Sequence, residues 1–417
     1  MCKEPQYFLA SIFKGYWQLP LHPSCQEMFS FLTDLGVYTP TRVLMGGSDS
    51  VAYCQAAVQE IFQDLLYRGL LAWLDDLLGY AEDQEKLLSL LEKVLRACQK
   101  TGLKLNPAKC DFYKTSVKWC GRIIDAKGVA HDPDRIRALV EMPDPVTAQD
   151  LQQFLCAANW MRASVPAYNV IVCPLTELME KAYAKAGGRT KQKVARVELS
   201  QLDWGIEHEE ALKRCKDALI KAVRLAHLDP AQELCVFTDA SARHWGNVVT
   251  QLPPADRGRP IEEQAHQPLM FLSGTFTGAA ERWAIIEKEA FALVETVKRA
   301  DYMLHRPGGF HLFTDHKNLR YIFNPDSVVS KVPKYTADKL QRWSLLLMGY
   351  DYMIVHLPGE QNVWADLLSR WGMSESVICA IKLVQFRTSA HMDQAFQWPG
   401  KEELLRLQLA SGERFPQ

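Results

Sequence analysis

The eleven cysteines of this 417-residue chain include no Cys-x-x-Cys pair and no His/Cys spacing of the zinc type, so no zinc site is expected. An odd cysteine count without that pattern points to reduced thiols in an intracellular compartment. No uncharged run approaches the length that spans a bilayer. Met1-Cys2-Lys3-Glu4 leads into mixed polar and apolar sequence rather than a signal peptide, so a soluble protein with no membrane partner is expected. An excess of either charge is also lacking, since 48 Lys and Arg stand against 49 Asp and Glu for a net charge of -1. Affinity for nucleic acid therefore cannot be argued from bulk charge and must come from local patches. There is no Asp-(Ser/Thr)-Gly tripeptide, no low-complexity run and no internal repeat beyond a recurring strand that ends in Thr-Asp.

What is present is ordinary for a globular protein, with 48% hydrophobic and 23% charged residues, and the length allows two to four domains. Two basic patches stand out. Residues 93–127 hold nine Lys or Arg against Asp111 and Asp125, and residues 181–196 hold six with no acid. Either patch suits a solvated face or a phosphate backbone.

The chemistry-bearing pattern lies in the second half. Residues 233–241, ELCVFTDAS, form an apolar β-rich run that ends in Thr238-Asp239, which predicts a buried strand delivering one carboxylate to its end. Residues 310–319, FHLFTDHKNL, repeat the arrangement with Thr314-Asp315. Between them, residues 281–304 predict one long helix without Gly or Pro. Its apolar stripe holds Trp283, Ile285, Ile286, Ala290, Leu293, Val294 and Val297. Glu289 falls inside that stripe and Glu287 at its edge. A carboxylate on a core-facing stripe needs a cation or a proton. A fourth acid, Asp366, stands in GEQNVWADLLSRW, where Asn362 is placed to cap a short helix. Asp239, Glu289, Asp315 and Asp366 on strand, helix, strand and helix would make an oxygen-rich cage for two Mg²⁺ ions, Mn²⁺ being the alternative.

Through TDAS, EKEAFA, TDHKNL and HLPGEQNVWADLLSR, residues 234–371 resemble the RNase H domain of gypsy-type LTR retrotransposon pol polyproteins. The resemblance implies a mixed-sheet α/β (α+β) domain, metal binding by Asp239, Glu289, Asp315 and Asp366, and hydrolysis of the RNA strand of an RNA-DNA hybrid. It also places His356, on a loop with Pro358-Gly359, where some relatives carry a catalytic-loop histidine. A partly exposed loop histidine fits the same residues.

The first half resembles the reverse transcriptase palm of the same elements. LASIFKGYWQ matches the strand that carries the first catalytic Asp, PTRVLMGG with Gln55 the template and nucleotide pocket, and WLDD the Asp-Asp hairpin with Asp75 and Asp76 as metal ligands. GLKLNPAKC and VKWCGRIID match the following segments, the latter with the primer-gripping turn around Trp119 to Gly121. In that reading Tyr16 is the aromatic gate under the incoming sugar, and Lys109 is the proton donor to pyrophosphate. One departure matters. The family has Asp where this chain has Ser11, five residues before Tyr16, and a serine hydroxyl is a neutral, weak Mg²⁺ ligand. With the fingers of the family expected upstream of Met1, polymerase activity is expected to be absent or severely impaired.

The organisation expected is a partial palm over residues 1–130, a helical thumb and connector over 131–230, the RNase H-like domain over 231–372 and a tail over 373–417 leading toward an integrase region. Helices are predicted for residues 50–67, 147–165, 174–184 and 207–223, and from Asp132-Pro133 up to Pro143. Three functions stay open: an RNase H-type nuclease with a crippled palm, a working reverse transcriptase once upstream sequence is included, and a non-catalytic remnant that binds nucleic acid. Oligomeric state, and a cytoplasmic particle as against the nucleus, are not set by the sequence.

Overall fold

The structure is a computed structural model that describes residues 5–323, 334–357 and 385–387. The chain divides into two compact units, Met1–Asp144 with Lys216–His227, and Pro145–Cys215 with Leu228–Gln417. The helices expected over residues 131–230 are thereby shared between the two.

In the first unit, strand β1 (Gln6–Ser11) is apolar on both faces because it is central, with Tyr7, Phe8 and Ala10 buried. A small hairpin, β2 (Phe31–Thr33) and β3 (Gly36–Tyr38), turns at Asp34-Leu35. Strands β4 (Leu70–Trp73) and β5 (Asp76–Ala81) form the hairpin that bears the paired acids, and β6 (Asp111–Lys114) closes a sheet of order β4-β5-β1-β6. Helices Ser50–Ile61 and Gln84–Thr101 lie over it, their Val58, Leu87, Leu90 and Val94 meeting Phe8, Ala10, Leu70 and Leu77. The first of these ends at Ile61, six residues short of the expected end, where turns take over through Tyr67, a residue with positive φ. Strands β7 (Ser116–Trp119), β8 (Arg122–Asp125) and β9 (Gly128–His131) make a separate antiparallel sheet. Asp132 caps helix Pro133–Val140 by accepting from the Asp134 N–H at 3.2 Å.

The second unit is built on a mixed sheet of β10 (Glu233–Ala240), β11 (His244–Leu252), β12 (Gln267–Thr275), β13 (Phe310–Thr314), β14 (Tyr352–His356) and β15 (Gln385–Arg387), in the order β12-β11-β10-β13-β14-β15. The β10–β13 and β13–β14 pairs are parallel and the others antiparallel. Helix Ile285–Arg299 connects β12 to β13 and covers one face of the sheet, packing on β10 and β11.

The helix expected to run unbroken over residues 281–304 is interrupted: a 3₁₀ turn Gly278–Arg282 precedes it, extended Trp283 and Ala284 follow, and Asp301–Leu304 is a separate turn. The Glu287 carboxylate sets the start by accepting the Ala284 N–H at 3.0 Å. Ile285, expected in the apolar stripe, is consequently half exposed in the first turn.

Helices Ala148–Asn159 and Tyr168–Ala186 belong to this unit as well. Thr147 and Asp150 form the capping box of the first, which ends at Asn159 rather than Val165. The second starts six residues before the expected Pro174 and runs through it. A proline inside a helix costs about 3 kcal/mol; burial of Tyr168 and Val172 on one side and Leu175, Leu178 and Met179 on the other offsets it. This helix packs on β12, where the Asn169 N–H donates to Ser273 Oγ at 2.9 Å and Arg243 pairs with Glu177 at 2.6 Å. No described helix is long and apolar enough to cross a membrane.

Candidate active site

Three of the four acids predicted to form the cage converge in the second unit. Asp239, Glu289 and Asp315 each offer a carboxylate oxygen, all within 4.8 Å of one another, and this is the one such group of three or more potential metal-ligating side chains among the described residues. The topology explains the convergence. Strands β10 and β13 are parallel neighbours, with Phe237 paired to Phe313, so both Thr-Asp pairs emerge at the same edge. Thr238 Oγ1 donates to the Phe313 carbonyl at 3.2 Å and ties the two ends together. Helix Ile285–Arg299 crosses this edge and points Glu289 into it, where Oε1 accepts the Ala240 N–H at 3.2 Å. Asp366 lies outside the described residues.

Electrostatics separate the two buried glutamates of the helix. Glu287 is satisfied on both oxygens, by the Ala284 N–H and by Lys339 Nζ at 2.8 Å, a lysine that also lies 3.9 Å from the Trp283 ring centroid. Glu289 is 3% exposed, and its Oε2 has no hydrogen-bond partner among the described residues. Burial, then Asp315, then Asp239 push its carboxyl up to about 9. Burial and then Asp315 likewise raise Asp239. A buried, unpartnered carboxylate oxygen facing two further carboxylates is costly without a counter-charge. The all-oxygen donor set fits a hard divalent cation such as Mg²⁺ or Mn²⁺.

Two further residues shape this edge, and neither stood out in the sequence. Lys288 is buried, and its Nζ donates to the carbonyls of Ala242 at 2.5 Å and Glu281 at 2.9 Å, clamping the turn after Asp239. Lys339 reaches Glu287 from 52 positions away, a separation at which no local pattern pairs two side chains. His356, expected on a loop, is instead the last residue of β14, paired with Thr314 in the sheet. Its Nε2 lies 2.9 Å from the Asp315 carbonyl oxygen, which brings it to the carboxylate edge from the outer side.

In the first unit, β4 and β5 meet in a two-residue turn, Leu74-Asp75, and Asp76 opens β5 directly opposite Ser11 at the end of β1. Burial and then Asp75 raise the Asp76 pKa, while Ser11 and Lys109 pull it down. Gln55 braces the turn, its Oε1 accepting the Leu74 N–H at 2.8 Å and its Nε2 donating to the Ala72 carbonyl at 3.3 Å. Leu74 has a φ of 52°, which this brace helps to hold. Tyr16 packs beside Cys54, Leu19 and Val43, and its hydroxyl pKa is raised by burial, then Cys54, then Asp75. Lys109 ends a 3₁₀ turn and acts on Asp76 through its charge. Trp119 ends β7 before the two-residue turn Cys120-Gly121, whose residues both have positive φ, as such a hairpin turn requires. Asp76 raises the Cys120 thiol pKa, second to burial, so this turn lies near the paired acids.

One edge with three carboxylates and one hairpin with two acids facing a serine, each on a mixed helix-and-sheet scaffold, are the marks of a chain of nucleic-acid-processing ancestry. Residues 4–124 match the family described as reverse transcriptase (RNA-dependent DNA polymerase), and residues 229–350 the RNase H-like domain found in reverse transcriptase. The chain carries both domains and is a relative of the retrovirus-related Pol polyproteins of transposons, gypsy included. It is 27% identical over 85% of its length to the Pol polyprotein from transposon opus of Drosophila melanogaster, covering 33% of that protein. It is 28% identical over 89% to that of transposon 297, covering 32%, and 24% identical over 86% to that of transposon gypsy, covering 32%, both of the same fly. The chain thus spans about a third of the length of these relatives.

Among solved structures, the foamy viral protease-reverse transcriptase in complex with an RNA/DNA hybrid shares the fold at a TM-score of 0.66 and 19% identity, over 90% of this chain and 46% of that one. The same viral protein, in a form called dRH with double-stranded DNA, gives 0.67 and 19% over 84% of this chain and 56% of that one.

Proposed function

We propose that the second unit hydrolyses the RNA strand of RNA-DNA hybrids with Mg²⁺ or Mn²⁺, and that the first unit does not polymerise. The observation that carries the nuclease reading is the cluster of Asp239, Glu289 and Asp315 around the unpartnered Glu289 Oε2. Asp239, Glu289 and Asp315 would hold two cations, with Asp366 as the fourth ligand that the resemblance assigns. Bound there, divalent cations supply an activated water and stabilise the leaving 3′-oxygen. The Ala240 N–H fixes Glu289 Oε1, the Thr238 bond to Phe313 fixes the separation of the two strand ends, and His356 steadies the segment that bears Asp315.

For the first unit the carrying observation is the register of Ser11 opposite Asp76. Two carboxylates and a hydroxyl leave a two-cation clamp short of anionic oxygens, and the repulsion between the ions goes uncompensated. Tyr16, Gln55, Lys109, Trp119 and Gly121 are then the remains of a nucleotide and primer site around a centre that lacks one ligand. The basic stretch over residues 93–127 suits a duplex backbone.

The test is cleavage of a labelled RNA, annealed to DNA or single-stranded, by the full chain and by Asp239→Asn in Mg²⁺ buffer. The native chain is expected to cut only the annealed RNA, because the site must read a duplex with 2′-hydroxyls on one strand. Asp239→Asn is expected to lose at least roughly a hundredfold in rate while still binding the hybrid. Near-native rates in Asp239→Asn, or equal cutting of both substrates, would contradict the assignment.

A further inference from the structure

We propose that Asn247 is a positioning residue of the carboxylate edge, holding Asp239 in register with Glu289 so that the two can share cations; this rests on the nuclease reading above. Asn247 lies on β11, paired with Thr238 of β10, and is completely buried. Its Oδ1 accepts the Asp239 N–H at 3.2 Å. Its Nδ2 donates to the Ala292 carbonyl at 2.8 Å and to Thr296 Oγ1. Thr296 Oγ1 in turn donates to the same Ala292 carbonyl at 2.9 Å.

The roles in this network are fixed by chemistry. A backbone N–H only donates and a carbonyl only accepts, so the amide has a single orientation that satisfies both neighbours. One side chain therefore joins the backbone of the residue bearing the first carboxylate to the helical turn that follows the second, since Ala292 is three positions after Glu289.

The mechanical consequence follows from what the edge contains. Three acids within 4.8 Å repel one another when ionised, and the strand end and the helix that carry them have reason to part. The direct link across this gap, from the Ala240 N–H to Glu289 Oε1, uses an oxygen of the metal-ligand set itself. The Asn247 link does not use one, so it persists whichever oxygens the cations take. Groups that orient ligands in this way typically contribute 10- to 100-fold in metal affinity. The residue was not legible in the sequence, because HWGNVVTQL also carries Thr250 and Gln251 as buried polar residues.

The experiment titrates the full chain with Mn²⁺ in the absence of nucleic acid, following free Mn²⁺ by electron paramagnetic resonance, and takes the binding lost in Asp239→Asn as that of this site. Asn247→Ala is expected to weaken that component about tenfold. Thr296→Val, which keeps the amide and removes one of its partners, is expected to weaken it about twofold to threefold. All titrations are made well below the thermal transition, where a merely structural role lowers the melting temperature without moving the Mn²⁺ constant. An unchanged constant in Asn247→Ala overturns the proposal. If that variant fails to unfold cooperatively, Thr296→Val decides, and an unchanged constant there overturns it equally. Native protein with no Mn²⁺ component sensitive to Asp239→Asn would instead remove the nuclease reading, and the positioning role with it.

Discussion

The two acidic sites of this chain are built by the same device and differ in one ligand. In the second unit two strand ends and a helix bring Asp239, Asp315 and Glu289 together, and Glu289 Oε2 is left buried and unpartnered. In the first unit a strand end and a hairpin bring Ser11 opposite Asp76, and the hydroxyl lowers a carboxyl pKa that a third acid would have raised further. The difference lies in how far each cluster of acids is satisfied by its own chain. Burial and a neighbouring acid raise carboxyl pKa values at both sites, Asp239 and Glu289 in one and Asp76 in the other, but only the first holds a buried carboxylate oxygen without a hydrogen-bond partner among the described residues.

The same contrast recurs within one helix, and breaking it has the largest effect on stability. Glu287 has a cation of its own in Lys339, and Glu289 Oε2 has no hydrogen-bond partner among the described residues. Lys339→Met should therefore leave a buried carboxylate uncompensated and cost about 3–5 kcal/mol of stability by urea denaturation. Lys339→Met combined with Glu287→Gln should recover most of it. A single variant within about 0.5 kcal/mol of the native chain would mean that the pair is solvent-screened.

Restoring the missing acid sharpens the comparison at the other site. Ser11→Asp should destabilise the metal-free chain by about 1–3 kcal/mol, since it places like charge opposite Asp76 in a buried position. Millimolar Mn²⁺ should reverse that loss in the variant and not in the native chain. Equal Mn²⁺ responses in the two would argue that position 11 does not face a metal.

The units also respond differently to pH. Glu289 titrates near 9 in the fold against an ordinary glutamate value near 4.5. In that window the folded chain keeps a proton that the unfolded chain has lost, so metal-free stability falls as pH rises from about 4.5 to 9. His131 in the first unit is held down to about 4 by burial, then Arg122, then Arg135. There the unfolded chain binds the extra proton, and stability falls as pH drops from about 6.5 to 4. Glu289→Gln should flatten the alkaline decline of the urea midpoint and His131→Gln the acid one. The alkaline decline should also shrink when Mg²⁺ is added to the native chain, and its persistence would count against cation binding at Glu289.

Much of this was legible in the sequence because strand-end chemistry is local. Apolar runs closing in Thr-Asp fixed Asp239 and Asp315 at strand ends, and the helical period put Glu289 on the core side. The WLDD hairpin was also expected from its resemblance, with the turn at Leu74-Asp75 and Asp76 already in β5.

What escaped was set by tertiary partners. Glu287 read as an edge residue because Lys339 is distant in sequence. His356 read as a loop residue because Pro358-Gly359 follows it, yet pairing with β13 carries the strand through it. Pro174 read as a helix start because its cost is local and the burial that offsets it is not. The helices Ala148–Asn159 and Tyr168–Ala186 read as a separate connector, although the second packs on β12 of the carboxylate-bearing sheet.

A single measurement tests both sites at once. The full chain is given an RNA template annealed to a labelled DNA primer, with deoxynucleoside triphosphates and Mg²⁺, and RNA cleavage and primer extension are followed in the same tube. Cleavage of the annealed RNA without extension of the primer is the predicted result. Primer extension by the unmodified chain would contradict the place given to Ser11, and an intact RNA strand would contradict the place given to Asp239, Glu289 and Asp315.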